Sequence, residues 1–149
     1  MIKQILLSTA LVLSSAAAFA TELTPSNLIG RYKVTAKAGF QTVYVNFRVN
    51  SSTEFTLQRT YPDGSKDAAC DGTFKLNNSL YVTEDDVVLA SKTFKGKMTC
   101  PDDRSKVIDF NIYFGGTTVE DLVAGTSVDV TSSMAPGMTL HAYVKKSGN

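Results

Sequence analysis

From Gly30 the chain alternates apolar and polar side chains, with Tyr32, Val34, Ala36 and Ala38 on one parity and Arg31, Lys33, Thr35 and Lys37 on the other. Successive side chains of a strand point to opposite faces, so the stretch predicts a half-buried β-strand. The same alternation recurs in TVYVNFRV (Val43, Val45, Phe47, Val49), EFTLQR (Phe55, Leu57), CDGTFKL (Cys70, Phe74, Leu76) and FKGKMTC (Phe94, Met98). It continues in KVIDFNIYF (Ile108, Phe110, Ile112, Phe114), TSVDVTS and MTLHAYVKK. SLYV and VVLA flank an acidic corner at Glu84, Asp85 and Asp86. Turn-forming residues separate these runs at Ala38-Gly39, Asn50-Ser51-Ser52, Pro62-Asp63-Gly64-Ser65, Asn77-Asn78 and Pro101-Asp102-Asp103. Such residues tolerate positive φ or preset a turn.

Only two stretches depart from period two. TPSNLIG suits one helical turn before the first strand, and TTVEDLVAG has the threonine start, acidic first turn and glycine stop of a short helix. Short strands joined by short turns, each with one apolar face, leave no room for crossover helices. They predict an all-β fold, an antiparallel up-and-down β-barrel of about 8–10 strands with at most one short helix near residues 117–123. A sandwich is the alternative. Closure is favoured because it removes the exposed sheet edges that a flat sheet would carry.

The opening twenty residues read differently. One lysine, the apolar run ILLSTALVL and an Ala18-Phe19-Ala20 ending form a secretory signal peptide over residues 1–20, bacterial in style. The run is shorter than the ~20 residues a membrane-spanning helix requires, and no later segment approaches that length. The expected product is one barrel domain over residues 21–149, periplasmic or secreted, monomeric and without a transmembrane segment. No cysteine follows the expected cleavage site to carry a lipid. Loss of Lys3 lowers Lys+Arg from 15 to 14 against 14 Asp+Glu. A neutral chain whose largest basic cluster is Lys145-Lys146 lacks the cationic footprint that nucleic-acid binding needs.

Export bears on the cysteines. Cys70 shares parity with Phe74 and Leu76, and Cys100 with Phe94 and Met98, so both sulfurs should face inward. Two inward cysteines in an oxidising compartment predict a Cys70–Cys100 disulfide. Bridged Cα atoms must lie within ~7 Å, whereas a three-strand meander would leave the two cysteines at opposite ends. The pairing therefore requires an even number of strands between them, or a hairpin excursion over residues 77–92 that lets the cysteine strands pair directly; the excursion is preferred. DGSKDAACDG is no EF-hand loop, since Ala68 stands where glycine and Phe74 where glutamate would be required. Two cysteines and one histidine are too few for a zinc site, so no metal is expected.

Catalytic chemistry meets the same shortage. His141 shares parity with Tyr143 and Lys145, the solvent face. The adjacent acids Asp85-Asp86, Asp102-Asp103 and Glu120-Asp121 sit on turns or at a helix start, where they cannot face one another across a substrate. Asp109 is centred in an apolar strand but turned outward. No catalytic residue and no cofactor are expected.

The interior carries what remains. Its candidate ligand-binding residues are Phe47, Phe55, Leu57, Phe74, Phe94, Met98, Phe110 and Ile112, with Arg59 continuing the inward parity near a strand end. By the same parity Met138, Leu140 and Val144 also face inward. An arginine at a barrel mouth can pair with a ligand carboxylate or bend out to water. NLIGRYKV resembles the opening Gly-x-Trp element of the lipocalin and wider calycin group, with Tyr32 in place of the tryptophan and Lys145 or Lys146 in place of the arginine that packs on it. That resemblance implies a barrel that binds small hydrophobic molecules. Two functional expectations follow: an exported barrel that sequesters a small apolar ligand in its lumen, or a filled envelope-interaction barrel acting through loops or an outer face bearing Tyr44, Tyr81 and Tyr113.

Overall fold

The computed structural model describes residues 20–82 and 84–149. All but the last residue of the expected signal peptide lies outside these. Eight strands, β1 (Gly30–Ala38), β2 (Gln41–Val49), β3 (Glu54–Thr60), β4 (Cys70–Val82), β5 (Val88–Cys100), β6 (Asp103–Gly115), β7 (Thr126–Ser132) and β8 (Leu140–Gly148), form a closed barrel in chain order. Every neighbouring pair is antiparallel, and β8 returns to β1 through pairs such as Val34 with Val144. The up-and-down barrel read from the alternation is therefore the fold.

One helix, α1 (Val119–Ala124), interrupts the strands. Its start is fixed by a capping box in which Thr118 Oγ1 accepts from the Asp121 amide and Asp121 accepts from the Thr118 amide. TPSNLIG forms a hydrogen-bonded turn, the Leu28 amide donating to the Thr24 carbonyl at 3.1 Å.

Asn77-Asn78 is not a turn. The two asparagines pair with Thr93 and Lys92 inside a continuous ladder, so SLYV and VVLA are the distal ends of β4 and β5. The reversal falls instead around the acidic corner, where Asp86 takes φ 62°, a conformation aspartate tolerates. This long hairpin is the preferred of the two arrangements that the disulfide allows: Asp71 pairs with Thr99, which brings Cys70 and Cys100 to a Cα separation of 4.2 Å, and they are bonded.

Met138 also departs from its expected inward place. It is exposed in the β7–β8 loop, because its amide closes a turn with the Ala135 carbonyl and β8 begins only at Leu140. Period two has no strand to act on there.

The residues before β1 cross one end of the barrel and bury Leu23 and Leu28; Leu122 of α1 joins them. Polar contacts hold this base together. The Val119 amide donates to the Thr21 carbonyl, Thr21 Oγ1 donates to Glu120 at 2.6 Å, and Lys92 Nζ lies 2.7 Å from Glu22. Donation from the Thr21 hydroxyl and from the Thr21 amide holds the Glu120 carboxyl below the usual range. Inside the base, the Tyr32 hydroxyl donates to the Leu28 carbonyl at 2.6 Å.

Two expectations follow from this framework. Replacing both Cys70 and Cys100 with alanine should lower stability in urea by ~3–4 kcal/mol, the chain-entropy value for a loop of this length, whereas a loss under ~1 kcal/mol would contradict it. Burial pushes the Tyr32 hydroxyl up to about 12. An unfolded tyrosine ionises near ~10, so the stabilisation is complete below that pH and is lost as pH rises to about 12. Tyr32→Phe should flatten the fall in stability across that window; curves that stay parallel to the parent would refute the assignment.

Candidate functional site

Inward side chains divide the lumen into two unlike halves. Strands β2 to β6 contribute Phe47, Phe55, Phe74, Phe94 and Phe110, whose rings meet at centroid separations of 4.4 to 5.8 Å. Phe74 and Phe94 are stacked, while Phe55 meets Phe110 edge to face. Gly96 lets this cluster close, since a Cβ there would come within 2.7 Å of the Phe110 ring.

Apart from Tyr32, strands β1, β7, β8 and the first half of β2 contribute only aliphatic side chains inward. Ala36 pairs with Ala142 and with Val43, and Val34 pairs with Val144 and with Val45. Val34, Ala36, Val45, Ala142 and Val144 belong to or pack against the same buried cluster as the phenylalanines but do not fill the lumen. What remains is a cavity of about 280 Å³, at the lower edge of the ~300–1,000 Å³ of small-molecule sites.

Its walls are apolar throughout. Tyr32 is the one lining residue with a polar atom, and its hydroxyl is committed to the Leu28 carbonyl. Burial rises along β1, β2, β7 and β8 toward one end. Val34, Ala36 and Ala38 are partly exposed but Tyr32 is buried; Val43 and Val45 are partly exposed but Phe47 and Val49 are buried. Val130 and Leu140 are likewise more open than Val128, Ala142 and Val144. The cavity therefore has a floor at Leu28, Val49, Phe94 and Leu122 and opens at the end that carries the β1–β2, β3–β4, β5–β6 and β7–β8 connections. Phe40 and Met138 are exposed in two of these connections, and Met134 both lines the cavity and is exposed.

Of the residues expected in the lumen, Phe47, Leu57, Phe94, Met98, Phe110 and Ile112 line this cavity. Phe55 and Phe74 are buried behind it in the aromatic cluster. Arg59 stands at the open end of β3, opposite Val45, outside the apolar walls. The aliphatic half escaped selection as ligand-contacting, although the small residues at alternate positions of β1 and β8 were its signal. Leu28 and Leu122 had none, lying in segments without period two.

The ionisable groups gather elsewhere. His141 Nδ1 lies 2.6 Å from Asp129 Oδ1 on the outer face, both side chains more than half exposed. Asp109 points outward, 3.6 Å from Lys97 Nζ. Asp103 accepts from the Ser105 hydroxyl and amide, which lowers its pKa, and Ser65 does the same for Asp63. Among the described residues no three metal-ligating side chains converge. A second hollow, of about 420 Å³, lies on the outer face between Lys33, Tyr44, Asn46 and Tyr61.

Searches against family models, curated proteins and solved structures returned no match for this chain.

Proposed function

We propose that the protein is an exported barrel that sequesters one small hydrophobic molecule in the aliphatic half of its lumen, in the manner of lipocalin and calycin barrels. The observation that carries this reading is the apolar cavity of about 280 Å³, closed at one end and open at the other. Burial of apolar ligand surface there contributes about 25 cal/mol per Å². Shape and not hydrogen bonding would select the part of the ligand held at the floor.

The disulfide supports export, because such bonds persist in oxidising compartments. Among the described residues no helix is long and apolar enough to cross a membrane. The Thr21 amide already donates to Glu120 Oε2 at 3.0 Å. Processing between Ala20 and Thr21 would turn that donor into an ammonium and strengthen the contact.

The competing reading, a filled barrel acting through its outer face, draws on the exposure of Tyr44 and Tyr113; the side chain of Tyr81 lies outside the described residues. The unfilled half of the lumen favours the first reading.

Native mass spectrometry of protein purified from several hosts should show a small copurifying mass that organic extraction removes. The extracted protein should then take up the uncharged probe N-phenylnaphthylamine, and Ala36→Phe, which fills the wall, should abolish the uptake. No adduct from any host together with no probe uptake would refute the carrier reading.

A further inference from the structure

Arg59 is a charged residue that the strand pattern of β3 aims toward the open end of the lumen. It follows Phe55 and Leu57 on the inward parity of β3 and pairs with Val45, a wall residue of the cavity. Its Nε is buried without a hydrogen-bond partner, the only side-chain atom in that condition among the described residues. Its guanidinium carbon lies 4.9 Å above the Tyr61 ring. The Tyr61 hydroxyl donates to both Asp67 carboxylate oxygens, at 2.9 and 3.1 Å, so Asp67 fixes the ring on which the cation rests. Among the described residues no carboxylate forms an ion pair with Arg59.

A buried donor left unsatisfied is costly, and proteins rarely keep one without an acceptor from some source. The cavity beside it offers no other polar contact to a ligand, since the hydroxyl of Tyr32 is taken by Leu28. An amphiphile entering this lumen must therefore leave its polar end at the mouth. We infer that Arg59 receives the carboxylate head of an amphiphilic ligand whose hydrocarbon part fills the aliphatic half of the barrel. The planar guanidinium presents paired N–H donors that match the two oxygens of a carboxylate. The aromatic ring beneath orients the fork without competing for its donors. A cavity of about 280 Å³ restricts the tail to a short chain or compact ring system.

This assignment rests on the carrier reading, and a matched pair of probes separates the two. Decanoate and decanol share a tail and differ in head; their affinities for extracted protein are measured by calorimetry. Decanoate should bind about tenfold or more tightly than decanol, the scale of a charge-assisted hydrogen bond. Arg59→Met should erase that preference while leaving decanol affinity within about twofold, which also shows that the variant is folded. Arg59→Gln provides the same comparison if the methionine variant does not fold. Equal affinities in the parent protein, or a decanoate preference that survives in the variants, would overturn the role of Arg59 and leave the carrier reading standing. Failure of both probes to bind would remove the carrier reading, and this inference with it.

Discussion

Closing eight strands into a barrel fixes the width of the lumen, and side-chain volume then decides whether that width is filled. In this chain the decision differs between the two halves. Phenylalanines on β2 to β6 reach one another across the interior and pack at aromatic contact distance. Alanines and valines on β1, β7 and β8 line the cavity that remains. The aromatic rings fill their side of the lumen, while the opposite side stays open. A barrel lined uniformly by valine or by phenylalanine would lose this asymmetry.

The two ends are as unlike as the two halves. At the base, Leu23, Leu28 and Leu122 exclude water, and the bond from Tyr32 to the Leu28 carbonyl pins the leading segment to β1. At the mouth the connections are turns and loops with few inward side chains, and the Cys70–Cys100 bond ties the ends of β4 and β5 together there. Arg59 stands on the neighbouring strand, where Leu57 faces Cys70. A closed apolar floor and an open end that carries Arg59 form a polarity gradient along the barrel axis, which suits a molecule that is itself apolar at one end and charged at the other.

The strands, their inward faces, the short helix and the disulfide were legible in the sequence because each rests on local chemistry. Period two assigns Phe47, Phe94 and Ile112 to the interior without reference to any other strand. The paired cysteines followed from parity and compartment, and of the two geometries their bond allows, the preferred β4–β5 hairpin is the one that forms. Asn77-Asn78 misled because asparagine favours turns only when no ladder partner satisfies its backbone, and Thr93 and Lys92 do so here. Met138 misled because parity was extended past the end of a strand. The base was not legible: Leu28 and Leu122 meet only after the barrel closes. Nor could the empty half be read, since it depends on which small residues face one another across the β8–β1 seam. The inward aim of Arg59 was visible in the sequence; its lack of a partner was not.

The division of the lumen is tested most directly by a crystal structure of extracted protein under xenon pressure. Xenon enters dry apolar cavities and leaves close-packed regions empty. The account predicts xenon density between Ala36, Val45 and Val130, and none among Phe55, Phe74 and Phe94. Absence of xenon from the aliphatic half, with the walls of β1 and β7 collapsed onto the aromatic cluster, would contradict it.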